Sequence, residues 1–235
     1  MFNDLPGQFY STFVEANRWK MFLDGLGMTM LIAVGAVIIG FLLGTLVAIV
    51  KVNSQMNRKN GLLRVLNVIC DIYLTVIRGT PMMVQLLIMY SIICANWSND
   101  MSFLIGMLAF GINSGAYVAE IIRSGIQAVP RGQTEAGRSL GLPGNTTMKL
   151  IVLPQAIKNI LPALGNELIV LLKETAIVGT IAVMDVTQVA SLIKTRTYMP
   201  LFPLLAAAAI YLVVVLLMTW GLRKFERRLA RSDYR

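Results

Sequence analysis

Five stretches of the chain consist mainly of apolar residues and are separated by more polar segments. A helix needs about 20 such residues to cross the roughly 30 Å hydrocarbon core of a bilayer. The pattern predicts five membrane-spanning helices, at about residues 25–50, 81–97, 101–122, 160–184 and 201–222. The first stretch is too long and begins too late for a cleaved signal peptide. The expected fold class is an all-α, polytopic membrane protein with a single transmembrane domain.

A proline interrupts the helical pattern between residues 62 and 97. Apolar side chains recur at helical spacing at Leu62, Leu66, Ile69, Tyr73 and Val76. The sequence Arg78-Gly79-Thr80-Pro81 follows. Proline has no backbone donor and disfavours helix at the residue before it. We therefore expect a helical stretch that breaks at this point, with an amphipathic first half.

The positions of the basic residues predict which side of the membrane each loop faces. Lys and Arg concentrate in short cytoplasmic loops. Sixteen of them lie in the loop after the first span, the loop after the third span and the tail at 223–235: Lys51, Arg58, Lys59, Arg64, Arg78, Arg123, Arg131, Arg138, Lys149, Lys158, Arg223, Lys224, Arg227, Arg228, Arg231 and Arg235. Only Arg18, Lys20, Lys194 and Arg196 lie on the opposite side, and Lys173 lies within the fourth span. We therefore expect the N-terminus outside and the C-terminus in the cytoplasm.

Composition agrees with a membrane protein and excludes several kinds of chemistry. The 235 residues are 56% hydrophobic and 14% charged, with a formal net charge of +9. The basic tail could contact RNA, but a role in topology and anionic-lipid binding is favoured, and no nucleic-acid partner is expected. Histidine is absent, and Cys70 and Cys94 lack metal-ligand spacing. No nucleotide-binding or nucleophile motif occurs. We expect no catalytic residue, metal or cofactor.

The loop at about 123–158 has the features of a folded projection. Residues 133–140 are compatible with a short helix, which Gly141 would cap in the left-handed conformation and Pro143 would stop. Asn145 or Thr146 could cap a second helix, which Pro154 would bend or end. A solvated linker would need no such caps. The pattern favours two short, rigid helices.

The residues of this loop resemble a known motif. Glu135-Ala136-Gly137, then Gly141, then Ile151-Val152-Leu153-Pro154 after nine residues resembles the EAA loop of ATP-binding-cassette (ABC) importer permeases, with Gly137 as the one departure. Residues 77–86, 112–142 and 154–183 resemble the polar amino acid uptake branch of that family. The resemblance covers nearly all of residues 25–228.

The resemblance implies a function and a set of partners. The loop would be the coupling (EAA) helix, seated in a groove of a cytoplasmic ATPase subunit that holds the ATP. Its docking face would consist of Gln133, Thr134, Glu135, Ala136, Gly137, Arg138 and Gly141. A second permease chain, identical or related, would complete the pathway in the bacterial cytoplasmic membrane. An extracytoplasmic solute-binding protein would deliver an amino acid to residues 1–24 and 185–200, and alternating access would move it across.

Polar residues within the predicted spans are candidates for the substrate site, because a charge in a membrane helix costs about 2.5–3.5 kcal/mol. Helical spacing places Glu167 with Glu174, and Asn166 with Lys173, on neighbouring faces of the fourth span. Another stripe and the helix break add further candidates, namely Asn113, Ser114, Tyr117, Glu120, Arg78, Thr80 and Gln85.

For an amino acid, we assign Arg78, Thr80 and Asn113 to the carboxylate. Glu120, Glu167 or Glu174 would take the ammonium group or a cationic side chain. The alternative is structural: Lys173 and Glu174 would neutralise neighbouring helices, and Asn166 would bond a backbone carbonyl.

Two other functions are less consistent with the sequence. A proton-coupled secondary transporter could use Glu167 or Glu174 as its proton carrier, but it leaves the capped cytoplasmic loop unexplained. A membrane enzyme is disfavoured because no paired carboxylate or metal set lies at a membrane surface. Gly40 and Gly44 are expected to form a helix-packing face.

Overall fold

The computed structural model describes residues 5–56 and 60–231, and all regular secondary structure in these ranges is helical. The α-helices are α1 (Leu5–Phe9), α2 (Arg18–Met56), α3 (Gly61–Gly79), α4 (Met82–Ile88), α5 (Ser102–Gln127), α6 (Arg131–Ser139), α7 (Gly144–Thr147), α8 (Leu153–Glu174), α9 (Val186–Thr197) and α10 (Leu201–Arg231). Short π-helical turns lie at Tyr10–Val14, Met89–Ile93 and Met148–Val152, and 3₁₀ turns at Glu15–Asn17, Asn99–Met101 and Thr175–Ile181.

Three helical segments of the described chain are long and apolar enough to cross a membrane, at Leu5–Gln55, Asn99–Gln127 and Leu201–Leu229. Two pairs of helices meet the same criteria together but are bent at a short break: Gly61–Gly79 with Met82–Ile93, and Gly144–Ile181 with Val186–Thr197. The all-α membrane fold is confirmed. Five spans remain a prediction, because that number requires each bent pair to cross the membrane once.

Several helices are longer than the apolar runs that predict them. Helix α2 already begins at Arg18, α5 continues to Gln127, and α8 begins at Leu153. Hydropathy marks only the apolar part of a helix, whereas backbone hydrogen bonding continues into the polar residues beyond it. The predicted break is confirmed: α3 ends at Gly79, and Thr80 and Pro81 are extended before α4 begins.

Helix α9 occupies the segment that the sequence pattern leaves as a connection, residues 185–200. The Asp185 carboxylate caps its N-terminus by accepting hydrogen bonds from the backbone N–H groups of Thr187 (3.2 Å) and Gln188 (2.8 Å). The apolar face is buried at Val186, Val189, Ala190 and Ile193. An Asp cap followed by apolar residues at this spacing is a helix signal that hydropathy alone misses.

The chain folds as two compact units. The first unit contains Met1–Val37, Pro81–Phe110 and Ile169–Trp220, and the second contains Ile38–Thr80, Gly111–Leu168 and Gly221–Arg235. One apolar core of the first unit is built around Ile32, Leu86, Ile105, Phe110, Leu171 and Val178. Another packs α9 against Phe22 of α2 and Ala207 of α10.

The second unit contains closely packed helices. A Cβ atom on Gly44 would lie 2.6 Å from Cβ of Val118 and 2.7 Å from the carbonyl oxygen of Gly115, so α2 and α5 approach at a distance that only glycine permits. At Gly40, a Cβ atom would lie 3.0 Å from Oγ of Ser114. This confirms that Gly40 and Gly44 form a packing face.

Candidate functional site

A charged cavity of about 580 Å³ lies in the second unit between the ends of α2, α3 and α5. Glu120 is shared by two arginines: Nε of Arg123 donates to its Oε2 at 2.9 Å, and Nη1 of Arg78 lies 3.7 Å from Oε2. Lys51 and Asp71 form a second ion pair in the lining. The structure therefore brings the candidates Arg78 and Glu120 together, where they neutralise one another.

The neighbouring part of α5 carries a polar pair. Asn113 and Ser114 are buried, with 3% and 1% of their surface exposed. The Ser114 hydroxyl donates to Oε1 of Glu167 on α8 at 3.1 Å. Gly40 of α2 packs directly against Ser114. Residues predicted separately from α5 and α8 thus meet in one site within the second unit.

The remaining candidates have different surroundings. The Thr80 hydroxyl donates to the carbonyl of Val76 at 2.8 Å, and the Asn166 amide donates to the carbonyl of Pro162 at 3.3 Å. The Asn166 contact is the structural alternative expected from the sequence. Gln85, Lys173 and Glu174 belong to the first unit, where Lys173 is exposed and Glu174 is half-buried.

The candidates from the sequence omit three charged residues of the cavity: Lys51, Asp71 and Arg123. Asn67 also belongs to this set, since its amide donates to Oδ2 of Asp71 at 2.8 Å. A signal is present in α3, where Asn67, Asp71, Thr75 and Arg78 recur at helical spacing away from the apolar stripe. In the sequence, Lys51 and Arg123 serve only to predict the topology, and their pattern does not indicate that they also line the cavity.

Helix α6 is the first helix of the predicted projection. Gly141 is left-handed (φ +79°), the Leu142 N–H bonds the Gly137 carbonyl (3.1 Å), and the Gly141 N–H bonds the Arg138 carbonyl (2.9 Å). This bonding pattern is a Schellman cap. The predicted cap at Gly141 is confirmed. Gln133, Thr134, Glu135, Ala136, Arg138 and Gly141 are all exposed.

Gly137 does not lie on this exposed surface, which corrects its assignment to the docking face. A Cβ atom there would lie 2.7 Å from Cγ2 of Thr147 and 2.8 Å from Cδ1 of Ile151. Gly137 is therefore the contact through which α6 packs on the helical stretch that leads into α8. The departure from the EAA motif falls at a buried position.

The second helix of the projection differs from its prediction in two ways. It begins at Gly144 after Pro143, without a side-chain cap from Asn145 or Thr146. Pro154 does not end it, because the π-helical turn Met148–Val152 passes directly into α8 and Pro154 lies in the first turn of α8. A proline is tolerated in a first helical turn. The projection is one short helix packed on the start of a long one.

Comparison with known proteins places these features in context. Residues 40–231 match the family described as "Binding-protein-dependent transport system inner membrane component". Over 213 residues, the chain is 41% identical to a putative glutamine transport system permease protein GlnP of Rickettsia bellii, covering 89% of this chain and 93% of that protein. It is also 41% identical over 213 residues to the arginine transport system permease protein ArtQ of Bacillus subtilis, covering 90% and 93%. A structure titled "Crystal structure of an amino acid ABC transporter with histidines" matches with a TM-score of 0.84 and 43% identity, covering 97% of this chain and all of that one.

Proposed function

We propose that this chain, which belongs to the family of binding-protein-dependent transport system inner membrane components, carries a polar amino acid into the cell. Members of this family are permease subunits of ABC importers. The chain is therefore not an enzyme, and ATP hydrolysis belongs to a separate ATPase subunit. Family membership also decides against a proton-coupled secondary transporter. The amino acid substrate is supported by relatives named for glutamine and arginine transport.

The observation that carries the substrate proposal is the contact between Ser114 and Glu167 beside buried Asn113. A carboxylate held by a hydroxyl can accept a substrate ammonium group by exchanging one hydrogen bond for a charge-assisted one. Arg78 and Thr80 are proposed for the substrate carboxylate, with Asn113. Glu120 lies seven positions after Asn113 on α5, about 10 Å along a helix, and Arg78 lies 3.7 Å from Glu120. The proposed carboxylate site therefore extends from Asn113 to the ion pair of Arg78 with Glu120.

The other polar candidates complete the proposed pathway. Glu120 and, in the first unit, Glu174 are proposed as alternative partners for the ammonium group or a cationic side chain, and Gln85, Asn166 and Lys173 are proposed from the sequence pattern as further substrate contacts. Glu120 could take this role only by exchanging its contact with Arg78 or Arg123. The substrate would therefore compete with an existing ion pair at Glu120.

The proposed topology has five spans with the N-terminus outside and the C-terminal tail in the cytoplasm. Its support is the distribution of basic residues. Of these, Arg58, Lys59 and Arg235 lie outside the described residues. The tail would contact anionic lipid of the cytoplasmic membrane. Residues 1–24, of which 1–4 lie outside the described residues, and residues 185–200 would face the solute-binding protein.

The proposed contact with the ATPase subunit is the exposed surface of α6, formed by Gln133, Thr134, Glu135, Ala136, Arg138 and Gly141. Because Gly137 packs on Thr147 and Ile151, movement of α6 would be transmitted to the stretch that continues as α8. Glu167 lies on α8, so nucleotide-driven closure of the ATPase pair would move one side of the substrate site. This is alternating access driven through a rigid lever. A second permease chain, identical or related, completes the pathway.

Uptake by the reconstituted importer tests the substrate site. The complete complex, with ATPase and binding protein, would be placed in proteoliposomes and supplied with labelled glutamine and arginine. Glu167→Gln should weaken uptake by about tenfold or more, since a charge-assisted hydrogen bond contributes about 1.5–3 kcal/mol. Asp100→Asn changes an exposed carboxylate and serves as the matched control. Undiminished uptake in both Glu167→Gln and Glu174→Gln would remove these residues from the site.

A further inference from the structure

Backbone strain is concentrated in one part of the molecule. Four non-glycine residues of the described chain have left-handed backbone conformations: Ala16, Asn17, Ala182 and Tyr198, all in the first unit. Tyr198 is the bulkiest of them, with φ 55° and ψ 21°. An L-residue with a large side chain is disfavoured in this region because its Cβ atom crowds the backbone. Strain that persists at such a position points to a function.

The fold gains little burial from the Tyr198 side chain, which is 90% exposed. Arg196, also exposed, lies two residues before it, and Lys194 lies in the same last turn of α9. No acidic residue occurs between 186 and 200. We call Lys194, Arg196 and Tyr198 the α9 tip. It is a basic, aromatic surface, and Tyr198 is the left-handed residue that ends α9.

The α9 tip is presented by a rigid helix. Asp185, fully buried, caps α9 and also accepts a hydrogen bond from the Tyr211 hydroxyl at 3.1 Å. Ile193, directly before Lys194, is fully buried. Beyond the tip, the Ser11 hydroxyl lies 3.6 Å from the sulfur of Met199. A pre-arranged contact surface loses less conformational freedom on binding than a flexible one.

We propose that the α9 tip is a docking contact for an acidic surface patch on the extracytoplasmic solute-binding protein. The inference rests on the proposed orientation, which places α9 outside the cytoplasm. Tyr and Arg are the residue types that most often dominate binding energy at protein interfaces. The positive charge of Lys194 and Arg196 supplies electrostatic complementarity to an acidic partner. The family's dependence on a binding protein provides the partner.

The experiment measures how the purified binding protein stimulates ATP hydrolysis by the complete importer in lipid nanodiscs. Tyr198→Ala should raise the half-saturating concentration of binding protein about tenfold, the effect of losing one interface hot spot, without changing the maximal rate. Tyr198→Phe should stay within about twofold of wild type, because the ring supplies most of the contact area. Arg196→Glu should raise the half-saturating concentration, whereas Arg196→Lys should raise it less. Ser98→Ala, at an exposed position outside residues 1–24 and 185–200 whose side chain caps no helix, is the control.

Tyr198→Gly separates docking from a structural role. Glycine accepts a left-handed backbone without strain, so the melting temperature of the complex should not fall. Docking should weaken as much as in Tyr198→Ala. A tyrosine that served only as a membrane-interface anchor would behave differently: its loss would lower the melting temperature or the maximal rate while leaving half-saturation unchanged.

Two results would overturn the inference while leaving the proposed function intact. One is a lower melting temperature or maximal rate in the Tyr198 variants with unchanged half-saturation. The other is wild-type half-saturation in all the α9 tip variants. Uptake of labelled glutamine and arginine by the wild-type importer tests the proposed function separately. If the wild type transports neither, the proposed amino acid function fails. If it transports one of them and the Tyr198 variants dock normally, only the inference fails.

Discussion

The two compact units both contain apolar clusters and close glycine contacts, but they differ in their polar groups and backbone conformations. The first unit contains the buried cap Asp185 and the four left-handed non-glycine residues of the described chain. The second unit contains three ion pairs, Lys51–Asp71, Arg78–Glu120 and Arg123–Glu120. Strained turns suit a surface that must be presented rigidly. Exchangeable ion pairs suit helices that must move.

The largest effect is expected from Asp185→Ala in the first unit. Asp185 is fully buried and accepts from two backbone N–H groups and the Tyr211 hydroxyl. Its removal leaves these donors without an acceptor, and we expect a loss of about 2–4 kcal/mol of stability. Asn60→Ala removes the exposed cap of α3 in the second unit and should cost about 1 kcal/mol. Thermal unfolding of the purified complex measures both, and equal losses would contradict the contrast between a buried and an exposed cap.

Next in size is Gly44→Val in the second unit. The added Cβ would lie 2.7 Å from the carbonyl oxygen of Gly115, a backbone atom that cannot rotate away. Overpacking of this kind costs about 1–3 kcal/mol, which a lower melting temperature would report. Gly27→Val is the control, because a Cβ on Gly27 meets no atom within 4 Å. If both variants melted alike, glycine contacts would not hold α2 against α5.

A smaller effect on stability is expected within α6, where adding a methyl group should help at one glycine and not at another. Gly132→Ala should stabilise the helix by up to about 1 kcal/mol, because alanine has the higher helix propensity. A Cβ on Gly132 meets nothing within 4 Å, whereas one on Gly137 would press on Thr147 and Ile151. Gly137→Ala should therefore lose this gain and reduce uptake per ATP hydrolysed. Uptake and ATPase rates measured on the same vesicles provide the test, and identical behaviour of the two variants would refute the packing role of Gly137.

The smallest effect is expected at the Lys51–Asp71 ion pair. The Asp71 side chain is 51% exposed, so solvent screens the pair, and a double-mutant cycle with Lys51→Met and Asp71→Asn should give about 0.2–1 kcal/mol. Added salt should reduce this coupling energy further. A coupling energy above about 2 kcal/mol, insensitive to salt, would mean that the cavity excludes water and that its charges are fixed.

Some features could be predicted because their causes are local. The helix break before Pro81 and the left-handed cap at Gly141 follow from the stereochemistry of single residues and their neighbours. Polar positions on α5 and α8 were predictable from helical spacing, which is why Ser114 and Glu167 were both candidates. Helix α9 has a local signal too, an Asp cap before a periodic apolar face, but its modest hydropathy hides it from a search for membrane spans.

Other features depend on contacts between residues far apart in the chain. Which carboxylate meets Arg78, whether Asp71 lines a cavity, and which side of α6 is buried at Gly137 are set by how helices pack. Helical periodicity specifies the face of a residue but not the helix that the face meets. The chain alone was therefore sufficient for an all-helical membrane protein with a capped, exposed helix. Tertiary packing decided which charges pair and which glycine is buried, because those choices depend on distances of a few ångströms between separate helices.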